Sequence, residues 1–252
     1  MAVVTRATLT QTLDEWLKPE AFKDYCPNGL QVEGRNEIAA IVCGVTANQA
    51  LLDLAVAEQA DAILVHHGWF WRGESGGVTG IKRQRLKTLL ANDINLYAYH
   101  LPLDAHPELG NNAGLAKAVG WTQTGVFGEQ GLGCLGEPAA GATVDSIAAD
   151  LTKAVGRAPF VLAESTDQPI RRLAWCTGAA QSYFEAAINC GVDAFVTGEV
   201  SEPMVHLARE TGVAYYAAGH HATERFGVQA LGQALADHFG LRVRYLEVDS
   251  PI

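Results

Sequence analysis

The chain has 252 residues, 48% of them hydrophobic and 18% charged, a composition typical of a globular protein with one large core or two smaller ones. Its 28 acidic and 18 basic residues give a net charge of -10, which argues against nucleic acid or an anionic membrane surface as the main partner. The five cysteines include no C-x-x-C pair, so neither a disulfide framework nor a thiolate zinc site is indicated. Because the N-terminus lacks the apolar core of a signal peptide and no apolar run is long enough to span a membrane, we expect a soluble, cytoplasmic protein.

Short apolar runs alternate with helical periodicity in the first part of the chain. An N-terminal helix is followed by the strand IAAIVCGV, the helix NQALLDLAVAEQ, the strand AILVHH, the helix IKRQRLKTLLAN and the strand INLYAYH. This alternation is typical of βαβ units. It predicts an α/β fold built on a largely parallel sheet.

The same order of elements recurs from residue 172. The later segments are RLAWCTG, QSYFEAAINCG, DAFVTGE, EPMVHLARETG, VAYYAAGHH, VQALGQALADHFG and LRVRYLEV. A shift of 132 residues places Asp61 on Asp193, and a shift of 120 places His100 on His220. We therefore predict two similar α/β halves produced by internal duplication, at residues 1–120 and 171–252, with largely parallel or mixed sheets. Residues 121–170 are richer in Gly and Pro and are predicted to form a connecting subdomain.

Polar side chains cluster at the ends of the predicted strands. Imidazoles and carboxylates without thiolates are ligands typical of Zn, Mn, Fe, Ni or Co in catalytic sites. Six such groups exceed the needs of one four-coordinate ion that also binds water, so the sequence predicts two divalent ions per chain in a dinuclear site between the halves. The candidate ligands are His66, His67, His100, Asp104, His220 and Glu224.

Simpler interpretations exist for each of these residues. A lone histidine is more often a hydrogen-bonded core or surface residue than a ligand. Glu224 could favour the start of a helix, and Asp104 could be a turn residue. These interpretations predict no correlation between the halves, whereas His-x-x-x-carboxylate follows a strand in both. His221 stays open, and three histidines are assigned to helix or loop surfaces: His106, His206 and His238.

Three other segments have competing interpretations. GLGCLG satisfies G-x-G-x-x-G, but neither a βαβ strand precedes it nor a helix follows, so a loop or hairpin is favoured over a dinucleotide site. The aromatics WFW after His67 could line a pocket or form a subunit contact. GESGGVTGIKRQRLK suits a phosphate, although a solvated basic helix face is the commoner explanation.

Several longer motifs carry a family resemblance. They include YCPNGLQVEG, VHHGWFWRGES, NLYAYHLPLDAHPELGNN, VDAFVTGEVSE and YYAAGHHATERFG. Together they resemble the GTP cyclohydrolase I type 2 homologues, also called the Nif-three-like proteins, and particularly their short bacterial members. The resemblance implies two α/β halves that face each other across a dinuclear metal site, and a toroidal homohexamer. It assigns five of the six residues as ligands, with Glu224 bridging, whereas His100 matches a family histidine that lies among the ligands or beside them.

From the residues and this resemblance we expect a metal-dependent, hydrolase-like enzyme of the cytoplasm. Metal-activated water would act on a small molecule, either nucleotide-like or a cyclic amide. With the shift of 132 residues, Glu199 aligns with His67, and it is the candidate proton shuttle. The alternative is that Glu199 is an acid that caps a helix. The alternative function is a non-catalytic metal-binding ring scaffold or metal carrier. A ring threaded by DNA is disfavoured by the net charge of -10.

Overall fold

The structure is a computed structural model that describes residues 2–252. Numbered in chain order, its strands are β1 Val4–Thr5, β2 Gly29–Val32, β3 Glu37–Ile38, β4 Ala40–Thr46, β5 Ala62–His67, β6 Asn95–Ala98, β7 Thr122–Phe127, β8 Gly133–Glu137, β9 Phe160–Leu162, β10 Leu173–Trp175, β11 Ala194–Thr197, β12 Ala214–Ala217 and β13 Arg242–Tyr245. Its α-helices are α1 Arg6–Leu17, α2 Gln49–Ala57, α3 Gly80–Ala91, α4 Leu101–Ala105, α5 Asn111–Val119, α6 Val144–Val155, α7 Phe184–Asn189, α8 Glu202–Thr211, α9 His220–Thr223 and α10 Arg225–Phe239. The predicted α/β class is confirmed.

The chain divides into two compact units. The first runs to Gly110 and includes Gly227–Asp249, and the second comprises Asn111–Phe226 and Ser250–Ile252. The first unit has a five-stranded sheet of order β13-β4-β5-β6-β2, in which only the edge strand β2 is antiparallel to its neighbour. The second has a six-stranded sheet of order β7-β8-β10-β11-β12-β9, with β10, β11 and β12 parallel.

The central strands are buried on both faces, which explains their continuous apolar sequences. In the first unit, Leu64 of β5 faces a cluster that includes residues of α1 and α10, whereas Ile63 faces a cluster that includes residues of α2 and α3. In the second unit, Val196 of β11 packs with residues of α6, while Phe195 stacks on Phe184. Because both faces are covered, the carboxyl ends of the parallel strands are the places where polar side chains can emerge.

The units differ from the predicted boundaries at two places. Residues 121–170 do not stand apart, because β8 pairs with β10 and α6 contributes Ile147 and Leu151 to the core of the second unit. The C-terminal helix and strand belong to the first unit, because Leu231 and Leu235 enter its core and β13 pairs with β4. The Gly-rich composition that suggested a connector reflects the hairpin β7–β8, whose second strand contains part of GLGCLG.

Corresponding hydrogen bonds occur in the two units. Asp61 Oδ2 accepts from the amides of Ala39 and Ala40 at 2.9 and 3.0 Å. Asp193, on which Asp61 falls in the sequence overlay, accepts in the same way from Arg171 and Arg172 at 2.8 and 2.9 Å. The match supports the internal duplication, which stays a prediction.

Candidate metal centre

Four of the candidate ligands lie in the first unit, after two adjacent parallel strands. His66 and His67 end β5, whereas His100 follows β6 and Asp104 lies in α4. We call these four residues the first donor set. The candidate coordinating atoms of its three histidines lie within 4.8 Å of one another. Asp104 is buried, and its Oδ1 lies 3.5 Å from His66 Nε2. The strand ends thus bring together the groups that sequence spacing predicted would meet.

Each histidine of this set has an oxygen partner at Nδ1. His66 Nδ1 lies 3.0 Å from the carbonyl oxygen of Tyr99, which can only accept, so this nitrogen donates. His67 Nδ1 lies 3.1 Å from the hydroxyl of Thr46. Hydrogen bonding at one ring nitrogen sets the tautomer and orientation of a metal-binding histidine. The partners therefore suit coordination through Nε2.

The partner of His100 is Asp24, which was not among the residues predicted from the strand ends. Asp24 Oδ1 accepts from His100 Nδ1 at 2.8 Å, and its side chain is only 3% exposed. Burial raises the pKa of Asp24, but the hydrogen bond and electrostatic attraction of His100, with hydrogen bonds from Asn28 and Leu101, lower it to about 2. The carboxylate lies in the irregular segment before β2, where no periodic pattern marks it. Its one sequence signal is its position directly before the motif YCPNGLQVEG.

The second unit supplies His220 and Glu224, which we call the second donor set. His220 begins α9, and Glu224 follows the helix, so both lie beyond the carboxyl end of β12. His220 Nε2 lies 3.0 Å from Glu224 Oε2, and Glu224 is buried. Burial lowers the pKa of His220, but hydrogen bonds and charges of Glu224 and Glu199 outweigh it and raise the pKa to about 9.

Glu199 lies beside His220 in the second unit. Its Oε1 accepts from His220 Nδ1 at 2.7 Å, so it occupies the same place on this ring as Asp24 does on His100. A carboxylate on Nδ1 orients the ring and increases its basicity. The structure therefore indicates that Glu199 orients the His220 ring. Its role as a proton shuttle stays a prediction.

Glycines leave room for the second donor set. Gly178 has φ +71°, and a Cβ at this position would collide with the Glu224 carboxylate. A Cβ on Gly198 would lie 2.6 Å from His220 Cα. The amide of Gly178 donates to Thr223 Oγ1 at 3.0 Å, which fixes the loop after β10 against the turn that carries both donors. The loop after β10 therefore packs so closely against His220 and Glu224 that only glycine fits at positions 178 and 198.

The aromatics after His67 have separate roles. Trp69 is buried, and its Nε1 donates to the Ala47 carbonyl at 2.8 Å, so it belongs to the core. Trp71 is partly exposed and meets His100 edge-on, with ring centroids 5.0 Å apart. Phe70 has φ +67°, a strained conformation for a non-glycine residue, and its ring contacts Lys82. Of the three, Trp71 lies directly against the donors.

Other histidines have local structural partners. His206 pairs with Glu202 on the same exposed helix face at 2.6 Å. His106 Nδ1 accepts from the amides of Glu108 and Leu109, and His238 packs edge-on against Trp16. The basic start of α3 is exposed, with Lys82 3.5 Å from Glu74. These placements agree with the simpler interpretations.

Imidazole and carboxylate donors of this kind fit a divalent transition ion. Within the first unit alone, three imidazoles and a buried carboxylate converge. Within the second, the side chains of His220 and Glu224 approach each other at their potential coordinating atoms. That both sets serve the same pair of ions stays a prediction. Among residues 2–252, no helix combines the length and hydropathy needed to cross a membrane.

Comparisons with known proteins place the chain in one family. The model of the Duf34/NIF3 (NGG1p interacting factor 3) family matches residues 4–251. A Pseudomonas aeruginosa protein named GTP cyclohydrolase 1 type 2 homolog is 52% identical, over 98% of this chain and 99% of its own length. A protein of the same name from Escherichia coli K12 is also 52% identical, over 96% of this chain and 98% of its own.

Solved structures agree with the family match. Protein ybgI, described as of unknown function, superposes with a TM-score of 0.96 at 50% identity, over 99% of this chain and 100% of that one. A protein from Thermus thermophilus gives a TM-score of 0.90 at 33% identity, with the same coverage. Because the family model and these relatives span nearly the whole chain, it belongs to the Duf34/NIF3 family.

Proposed function

We propose that this protein is a metal-dependent, hydrolase-like enzyme that binds two divalent ions through six ligands. The ligands come from the first and second donor sets: His66, His67, His100, Asp104, His220 and Glu224. The names of its relatives as GTP cyclohydrolase homologues support a hydrolytic reaction on a ring-containing substrate. Zn, Mn, Fe, Ni and Co all suit these donors.

One observation carries this proposal. In both units, every proposed histidine ligand has an oxygen partner at Nδ1: the Tyr99 carbonyl, the Thr46 hydroxyl, or the carboxylates of Asp24 and Glu199. Such outer partners are the usual companions of metal-binding histidines. A single structural histidine can also have such a partner, but four such histidines at strand ends in two units support a common metal-binding role.

The roles of the protein residues follow from their positions. Divalent ions held by these donors would supply Lewis acidity, which suits the activation of a water and of the bond to be hydrolysed. Asp24 and Glu199 orient His100 and His220. Glu199, which is partly exposed, also serves as the proposed proton shuttle between water and leaving group.

Trp71 supports a substrate with a planar ring. Its indole Nε1 donates to the Gly68 carbonyl at 3.1 Å, which fixes the ring plane beside His100 and His67. A fixed, partly exposed aromatic face can stack on a heterocycle at low entropic cost. A nucleotide-like or cyclic amide substrate meets this requirement.

We also propose a homohexameric ring in the cytoplasm. The assembly rests on the resemblance to the Nif-three-like proteins. The location rests on the five cysteines, each of which carries a thiol in the structure.

Turnover measurements on a substrate panel test the proposed activity. The panel comprises GTP, other nucleotides, cyclic amides and phosphoesters, assayed with metal-loaded and metal-free wild type. We expect metal-dependent turnover of at least one substrate, with strong loss in His66→Ala and retention in the matched control His206→Ala, because His206 pairs only with Glu202 on an exposed helix. If metal binds but no substrate is turned over, the metal carrier or scaffold replaces the enzyme as the proposed function.

A further inference from the structure

The segment before β2 holds His100 at two points. The Asp24 carboxylate accepts from the His100 ring at 2.8 Å, and Asn28 Oδ1 accepts from the His100 backbone amide at 2.7 Å. Asn28 Nδ2 in turn donates to Asp24 Oδ2 at 2.9 Å. Ring and backbone of one candidate ligand are therefore fixed by two side chains that hydrogen-bond to each other.

Asp24 also holds the start of the helix that carries Asp104. Its Oδ2 accepts from the amide of Leu101, the first residue of α4, at 3.0 Å. Its Oδ1 also accepts from the amide of Tyr25 at 2.6 Å, which fixes the carboxylate in place. One buried carboxylate thus connects two members of the first donor set, His100 directly and Asp104 through the helix.

We propose that Asp24 is a positioning residue that keeps the His100 proton on Nδ1 and presents Nε2 to a metal ion. This role rests on the proposed metal site, but the tautomer it predicts is a property of the protein itself. The carboxylate can only accept from Nδ1, and so the proton stays on that nitrogen. Without it, the ring can rotate and exchange the proton between its nitrogens.

The first measurement is the tautomer of His100, observed by NMR of protein with ¹⁵N-labelled histidine rings. The His100 signals are identified by their loss in His100→Gln. At a pH where the His100 ring is neutral, we expect the proton on Nδ1 in metal-free wild type and mixed tautomers in Asp24→Ala. An unchanged His100 tautomer in Asp24→Ala overturns the proposal.

The second measurement is Zn²⁺ affinity, by competition with a chelating dye. Asp24→Ala should weaken binding by about 10–100-fold, as is typical when the partner of a histidine ligand is removed. Asp24→Asn should lie between wild type and Asp24→Ala, because its amide oxygen can still accept from Nδ1 while its amide nitrogen opposes other donors. Leucine has nearly the shape of aspartate but no acceptor, so Asp24→Leu replaces Asp24→Ala in both measurements if the alanine variant fails to fold.

Asp61 provides the matched control. It also accepts from two backbone amides and from a side chain, that of Arg35 at 2.9 Å, but it lies before the amino end of β5. Asp61→Ala should leave the His100 tautomer and Zn²⁺ affinity unchanged. If Asp24→Ala and Asp61→Ala lose Zn²⁺ affinity equally, Asp24 only stabilises the fold, and the positioning role is overturned. If wild type binds no Zn²⁺, the proposed function fails, while the tautomer still decides the role of Asp24.

Discussion

At the scale of single residues, the geometry of the candidate centre depends on the residues that contact each candidate ligand. Sequence spacing identified His66, His67 and His100 because they follow apolar strands, and the structure brings their rings together. Sequence spacing could not identify Asp24. A carboxylate in an irregular segment has no periodicity that relates it to a distant histidine. Nor did spacing explain Gly178, whose importance arises only from the nearness of Glu224.

Gly178→Ala should weaken metal binding. The left-handed backbone disfavours alanine by roughly 1–2 kcal/mol, and the new methyl group would displace the Glu224 carboxylate. Gly212→Ala is the control, because Gly212 has φ +70° but a Cβ there would only touch Glu164 at 3.6 Å. Both variants should lose stability in urea, whereas only Gly178→Ala should lose Zn²⁺ affinity, by about tenfold or more. Equal affinities in the two variants would contradict this account of Gly178.

Glu199→Gln should separate the two roles of Glu199. A glutamine oxygen can still accept from His220 Nδ1, so we expect metal to be retained, but a neutral amide cannot transfer protons. Turnover should fall by about 10²–10⁴-fold on any substrate that the wild type hydrolyses. Glu199→Ala, which also removes the acceptor, should in addition weaken metal binding. Wild-type turnover by Glu199→Gln would exclude the shuttle.

At the scale of secondary structure, the predicted helices and strands were found because apolar runs and helical periodicity are local signals. The unit to which a helix or strand belongs, in contrast, depends on contacts with residues far away in the sequence. The strand LRVRYLEV was predicted correctly, yet its pairing with β4 depends on partners about two hundred residues away in the chain. The hairpin β7–β8 was missed as part of a sheet, because its glycines resemble a connector.

Leu235→Ala should destabilise the first unit. Leu235 of α10 is fully buried in the cluster that contains Leu64 of β5, so its truncation leaves a cavity. We expect the free energy of unfolding to fall by about 2–5 kcal/mol in urea titrations. Leu90→Ala on α3, where the leucine is 59% exposed, should change it by less than about 0.5 kcal/mol. A similarly small effect of Leu235→Ala would show that α10 does not stabilise this core.

At the scale of the whole molecule, the family, the α/β fold and the candidate ligands followed from the sequence, whereas the reaction did not. Family membership rests on matches along nearly the entire chain. The proposed substrate class rests on Trp71 and the proposed proton shuttle on Glu199, and sequence patterns specify the chemistry of neither. The internal duplication has support from the paired roles of Asp61 and Asp193 and stays a prediction.

The protein should assemble as a closed homo-oligomer, most simply a hexamer. This expectation comes from the family resemblance, and light scattering coupled to size-exclusion chromatography measures it. A mass of about six chains of 26.9 kDa is expected. A stable monomer at micromolar concentration would contradict the ring assembly.

The central claim is that the two donor sets bind two divalent ions per chain. Elemental analysis after purification without chelator, and again after reconstitution with Zn, Mn or Fe, tests it most directly. Full loading should reach about two ions per chain, with lower occupancy in His66→Ala and the largest loss in Glu224→Ala if this carboxylate bridges both ions. Saturation at one ion or none in every reconstitution would contradict the dinuclear centre.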